Sequence, residues 1–140
     1  MGYPSRDSEL EMLERHGAHN PLDELYPVTH GERITELIDV VGSVYVADVV
    51  KDYLVNIVAA TRSHDAVRLG ASPRASLHLI RTARAKAALA GRDYVIPDDV
   101  QAMAIPVLAH RLLPSTRAQL DGISPVDIVS QILTSTPVPE

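Results

Sequence analysis

The 140 residues contain no cysteine, no phenylalanine and no tryptophan. Without cysteine there is neither a disulfide nor a thiolate metal site, a composition that fits a reducing cytoplasm. With tyrosine as the sole aromatic, the core has to be built from Val, Ile, Leu, Ala and Met, which suits packed helices. No apolar run approaches the roughly 20 residues needed to span a bilayer, so a membrane partner is not expected. The stretch Met1 to Ser5 lacks the basic and apolar regions of a signal peptide, and Gly2 stands in a poor context for myristoylation. Positive charge is also short: 13 Lys and Arg face 18 Asp and Glu, a net charge of −5. Counterion release from nucleic acid needs a cluster of basic residues, so no nucleic-acid partner is expected.

Nothing here is arranged for a metal or for a nucleophile. The six histidines, His16, His19, His30, His64, His78 and His110, are scattered. His16 and His19 are three apart but straddle Gly17, where a helix should end, and no carboxylate or second pair completes a ligand set. No G-x-S-x-G elbow occurs. His110-Arg111 reads as a structural turn, with the arginine bonding carbonyls.

Hydrophobic residues make up 46% of the chain, which excludes a disordered tail and allows one domain with a real core. Their spacing is helical. A short helix is expected from Ser5 to His16, with Leu10 and Leu13 as its seam. Residues 17–28, with Gly17, Asn20, Pro21 and Pro27, read as a long loop. Thr29 and Glu32 form a candidate capping box ahead of Ile34, Leu37, Ile38 and Val41, and Gly42-Ser43 ends that run. The clearest helix covers Val46 to Arg62, where Val46, Val49, Val50, Tyr53, Leu54, Ile57 and Val58 make an unbroken stripe. Three more helices start with proline at the first position: Ser72-Pro73, running to Ala90 and stopped by Gly91; Pro97, with Pro106 expected to kink or break it; and Ser124-Pro125, running to about Thr134. The only hint of strand lies near Arg111 to Leu113. The expectation is all-α: a small bundle of five to six helices with a long loop near 17–28. Its parts are a linker with a short helix and loop (1–28), a helical domain (29–134) and a frayed tail (135–140).

On the helix that starts at Ser72, steps of about 100° place Leu79, Ile80, Ala83, Ala87 and Ala90 on one face and Arg74, His78 and Arg81 on the other. Arg74 stands in the first turn. There the free backbone N–H groups and the positive end of the dipole already favour an anion, and a guanidinium adds a fork that matches phosphate oxygens. From the stripe alone, a solvated surface arginine is the more common outcome.

Leu69-Gly70-Ala71-Ser72-Pro73-Arg74-Ala75 resembles the sensor-2 motif of MoxR-type AAA+ ATPases. Ala90-Gly91-Arg92-Asp93-Tyr94-Val95-Ile96-Pro97-Asp98-Asp99-Val100 resembles the next signature of that family, and Leu108-Ala109-His110-Arg111-Leu112 a third. Ala60-Thr61-Arg62 upstream fits as well. The blocks follow in the family's order and spacing over roughly residues 45–112. The resemblance implies the C-terminal helical lid of such an ATPase, packed over ATP that is held, with Mg, by an α/β core. It implies that Arg74, with Ser72 as a further contact, faces the nucleotide and couples its state to the lid. It also implies a ring, usually hexameric, relatives such as the magnesium chelatase ATPase subunit, chaperone-like maturation or metal insertion as the task, and von Willebrand factor A domain proteins as partners.

One departure is decisive. The chain has no G-x-x-x-x-G-K-[ST] phosphate cradle and no apolar strand ending in an acidic pair. Asp98-Asp99 follows Pro97 and reads as dipole charge at a helix start. These 140 residues are therefore expected to be a fragment or a stand-alone lid that does not hydrolyse ATP and holds no cofactor alone. Two other readings remain. One is a helical interaction module with a partner groove lined by the Val46 helix. The other is nucleic-acid binding through Arg74, Arg81, Arg84, Lys86 and Arg92.

Overall fold

The computed structural model describes residues 3–16 and 21–139. His19 and the expected helix stop at Gly17 lie outside them. The elements, in order, are α1 (Arg6–His16), a 3-10 turn (Pro21–Glu24), α2 (Gly31–Ser43), α3 (Asp48–Ser63), β1 (Val67–Leu69), α4 (Pro73–Leu89), α5 (Pro97–Leu108), a second 3-10 turn (Ala109–Arg111), β2 (Leu113–Pro114), α6 (Thr116–Leu120) and α7 (Pro125–Ser135). The fold is thus helical, as expected, with one small antiparallel ribbon. Contacts divide the chain into two units, Met1–Thr35 and Glu36–Glu140, with the boundary inside α2.

In the first unit, Ser5 starts α1. Its Oγ accepts from the Ser8 N–H at 3.3 Å, and its carbonyl accepts from the Glu9 N–H at 3.0 Å. Asp7 and Glu9 fall in the first turn, where the dipole favours negative charge. The apolar seam expected at Leu10 and Leu13 is exposed. The first bond of α2 runs from the Ile34 N–H to the His30 carbonyl, which makes His30 the N-cap. Thr29 therefore stands one residue too early to pair with Glu32 in a capping box. No residue of α2 is buried, and Ile34, Leu37 and Ile38 are all exposed.

The second unit holds the core. Helix α3 begins two residues later than its apolar stripe, at Asp48, which pairs with Lys51 at 2.8 Å. Val46, Val50, Tyr53, Leu54, Ile57 and Val58 are buried, whereas Val49 is exposed. The stripe is therefore core and does not line a partner groove, which removes the basis of the interaction-module reading.

Helix α4 buries Ala75, Leu79, Ala83 and Ala87, a spacing of four that puts three alanines and one leucine in one row, against which α5 packs. Ala90, expected on that face, is the exposed C-cap. Helix α4 ends in a Schellman motif. The Gly91 N–H bonds the Ala88 carbonyl at 2.9 Å, the Arg92 N–H bonds the Ala87 carbonyl at 3.0 Å, and Gly91 has φ +73°.

Helix α5 contributes Val100, Ala104, Val107 and Leu108 to the core. Pro106 does not break it. The proline falls in the last turn, so the helix ends two residues later and tightens into the 3-10 turn. Helix α7 supplies Ile128, Val129 and Ile132 and packs on α3 and α5. It starts with a true capping box: the Ser124 Oγ accepts from the Asp127 N–H at 3.2 Å, and the Asp127 carboxylate accepts from the Ser124 N–H at 2.9 Å. Replacing Ser124 with alanine should cost about 1 kcal/mol, measured as a lower urea midpoint. An unchanged midpoint would refute the cap's role.

Two elements were not apparent in the sequence. Strand β1 pairs with β2 through Val67↔Pro114 and Leu69↔Leu113, so the strand hint at 111–113 is realised just beyond its expected place. Helix α6 has only five residues, too few for a period. It is capped by the Ser115 Oγ, which accepts from the Ala118 N–H. After α7, Thr136 still bonds the Ile132 carbonyl. Among the described residues no helix is long and apolar enough to cross a membrane.

Candidate functional site

The N-terminus of α4 is set by local chemistry. Ser72 has extended dihedrals (φ −74°, ψ 164°) and Pro73 follows at the first helical position, where its fixed φ favours the turn and its missing N–H costs nothing. Ser72 is the N-cap by position, but its hydroxyl makes no capping bond. The side chain is exposed and its oxygen is not committed to its own helix. Arg74 is exposed as well, and no hydrogen bond or ion pair engages it among the described residues. His78 and Arg81 continue the exposed face, opposite Ala75, Leu79 and Ala83 in the core.

What holds this corner in place is the end of α3. Thr61 is fully buried. Its Oγ1 donates to the Val58 carbonyl at 2.6 Å and accepts from the Ala71 N–H at 2.9 Å. The Arg62 Nε–H donates to the Ala71 carbonyl at 2.8 Å. Consecutive residues of α3 thus hold both polar groups of Ala71. Gly70 is pressed onto the same turn: a Cβ there would lie 2.6 Å from the Thr61 carbonyl oxygen and 2.7 Å from the Arg62 Cα. The motif's glycine is therefore required by close approach of two backbones. Arg62, in the last turn of α3, clamps the loop that leads to Arg74.

The second block, Ala90 to Val100, forms a separate joint. The Schellman turn after α4 delivers Arg92 to Asp99 in the first turn of α5. Its two Nη groups reach the carboxylate at 2.8 and 2.6 Å, and one also donates to the Tyr94 carbonyl at 2.9 Å. Asp99 is 3% exposed and also accepts from the Ile96 N–H at 3.0 Å. Burial pushes its carboxyl group up. The hydrogen bonds from Arg92 and Ile96, with the charges of Arg92 and Lys86, outweigh that and hold it below the usual 3.8. Asp99 is thus more than dipole charge: it is the buried half of an ion pair that ties α4 to α5.

The third block is structural in the way expected of His110-Arg111. Arg111 donates to the Val107 carbonyl and contacts His110. The five basic residues considered for nucleic acid do not form a common surface. Arg74, Arg81 and Lys86 are exposed, but Arg84 is half-buried with its Nε enclosed and Arg92 is committed to Asp99. Among the described residues, no three His, Asp or Glu side chains gather as metal ligands would.

Sequence reasoning placed Arg74 in the first turn of a helix that starts at Pro73, where the structure has it. It missed the Thr61–Ala71 and Arg62–Ala71 bonds and the Arg92–Asp99 pair. The available signal was that Thr61-Arg62 closes one helix and Gly70-Ala71 precedes the next, a short connection with few ways to be satisfied.

The family model for the AAA lid domain matches residues 59–132, which includes the clamp, Arg74 and the Arg92–Asp99 joint. The uncharacterized protein YeaC of Bacillus subtilis is 42% identical over 139 residues, covering 99% of this chain and 43% of that protein. The chaperone MoxR1 of Mycobacterium tuberculosis is 35% identical, covering 100% of this chain and 39% of the relative. A crystal structure from Cytophaga hutchinsonii, provisionally assigned as an ATPase, superposes with a TM-score of 0.85 at 28% identity, over 100% of this chain and 45% of that one. The chain spans about two fifths of the length of the curated relatives it matches. It belongs to the AAA lid domain family, and within that family it resembles the lids of MoxR proteins.

Proposed function

We propose that this chain is the sensor-2 lid of a MoxR-type AAA+ ATPase and that Arg74 is its nucleotide-facing residue. The observation that carries this reading is an exposed cation with no partner among the described residues, held at a helix start by a clamped loop. An exposed arginine that served only solubility would not need three constraints on the residues before it.

The fit to ATP is partial, as a lid requires. Arg74 offers a fork to phosphate oxygens, the first turn of α4 adds the positive end of its dipole, and the Ser72 hydroxyl, which makes no capping bond, stands beside it. The chain has no glycine-rich phosphate loop, so the β-phosphate and Mg have to be held by an α/β core. Hydrolysis of ATP bound there passes through a transition state whose negative charge is spread over the γ-phosphoryl oxygens and the leaving oxygen. Arg74 stabilises that charge and draws the lid toward the bound state. On this reading residues 1–28 form the link from the core, 29–134 the lid and 135–140 a tail. The assembly is a ring, hexameric by family resemblance. Its work is chaperone-like maturation or metal insertion, with von Willebrand factor A domain proteins as partners.

The test is ATP turnover of the complete ATPase with Arg74 replaced by alanine. Turnover should fall by about tenfold or more, a typical coupling energy between a ligand and a conformational state, with an unchanged melting temperature. Parental turnover would exclude Arg74 as the sensor.

A further inference from the structure

The bond between Arg62 and Ala71 joins the body of the lid to the segment that aims Arg74. Both polar groups of Ala71 are held by α3: the N–H by Thr61 at 2.9 Å and the carbonyl by Arg62 at 2.8 Å. The two halves of the clamp differ in kind. Thr61 and Ala71 are buried at 0% and 1% exposure, so that half belongs to the core. Arg62 is exposed. Its bond to Ala71 is only partly buried, so losing it should cost the fold less than losing the Thr61 half.

It does cost direction. Ala71 is three residues before Arg74, and between them Pro73 fixes its own φ and restricts Ser72. A displacement at Ala71 is therefore passed on to Arg74 with little slack to absorb it.

We propose that Arg62 is a positioning residue for Arg74: its Nε–H, bonded to the Ala71 carbonyl, sets where the sensor helix begins relative to α3. This rests on the reading of Arg74 as the nucleotide-facing arginine. Because α3 packs against α4 and α7, the same bond carries movement of the lid body to the sensor.

The experiment compares Arg62→Ala, Arg62→Gln, Arg74→Ala and the double alanine variant in the complete ATPase, reading kcat and KM for ATP and the melting temperature. Glutamine is the informative substitution. Its Nε2 stands the same number of bonds from Cα as the arginine Nε, so it keeps the donor and removes the charge. Arg62→Ala should lower kcat about fivefold, the worth of one hydrogen bond. KM should stay within about twofold, as for an interaction realised in the transition state, and the melting temperature should hardly move. Arg62→Gln should recover most of the loss. In the Arg74→Ala background, Arg62→Ala should add nothing, because there is no sensor left to aim. Parental kcat in Arg62→Ala alongside a slow Arg74→Ala would overturn the proposal and leave the sensor reading standing. So would losses that multiply in the double variant, or a glutamine variant as slow as alanine. Parental kcat in Arg74→Ala would instead remove the sensor reading, and this proposal with it.

Discussion

Gly70→Ala is expected to destabilise the lid by roughly 2–3 kcal/mol, at the upper end for overpacking a well-packed site. The added methyl would meet the Thr61 carbonyl oxygen at 2.6 Å, the Arg62 Cα at 2.7 Å and the Arg62 nitrogen at 2.8 Å. All three are backbone atoms of α3, so no flexible side chain can swing aside. Helix α3 is pinned by Ile57 and Val58 in the core, so the loop has to move. Movement of the loop stretches both bonds to Ala71 and displaces the start of α4. Two readouts should therefore change together: the urea midpoint falls, and ATP turnover in the complete enzyme falls with it. Gly42→Ala is the control. A methyl at Gly42 meets nothing within 4 Å, and alanine is the better helix former, so this change should be neutral or slightly stabilising. If Gly70→Ala behaved like Gly42→Ala, the close approach of loop and helix would be wrong.

The second large effect is expected at Asp99. Replacing it with alanine removes two charge-assisted bonds from Arg92 and the acceptor for the Ile96 N–H. The expected loss is roughly 2–3 kcal/mol, toward the low end for breaking a buried pair because Arg92 remains partly solvated. The pH dependence has a definite sign. The folded-state pKa of Asp99 lies below its ordinary value of 3.8. Its contribution is therefore fully present above that value and is lost as pH falls through the lower, folded-state value. The stability gap between parent and Asp99→Ala should be constant near neutrality and should narrow progressively below about pH 4. Paired denaturation curves at several pH values test this, and a gap that widened in acid would contradict it. Asp127 is also held low, by its bonds to Ser124, so the parent should lose the cap of α7 in the same acid range.

Much of the fold is visible in one dimension because its causes are local. Pro73, Pro97 and Pro125 each begin a helix, since a ring that fixes φ and lacks an N–H fits the first helical position and few others. Gly91 ends α4, since only glycine takes φ +73° without strain. The stripe from Val50 to Val58 and the row of alanines on α4 show which faces turn inward. Arg74 was legible for the same reason: it stands one residue after a proline that marks a helix start.

Other features did not follow from the local pattern alone. The register of α2 shifted by one residue because His30, not Thr29, supplies the first carbonyl. Its apolar residues looked like a core seam, yet none is buried, because periodicity says that a face is apolar but not what covers it. Strand β1 has three residues and gains its identity only by pairing with β2, some 45 positions later. The same holds at the candidate site. The sequence by itself determined the helix, its start and the arginine in its first turn, through backbone geometry within a few residues. Only the tertiary structure decided that Gly70 lies against α3, that Thr61 and Arg62 grip Ala71 from both sides, and that Asp99 is buried against Arg92. Those facts depend on which surfaces meet, and a hydrogen bond or a steric limit between two elements exists only after the core has brought them together.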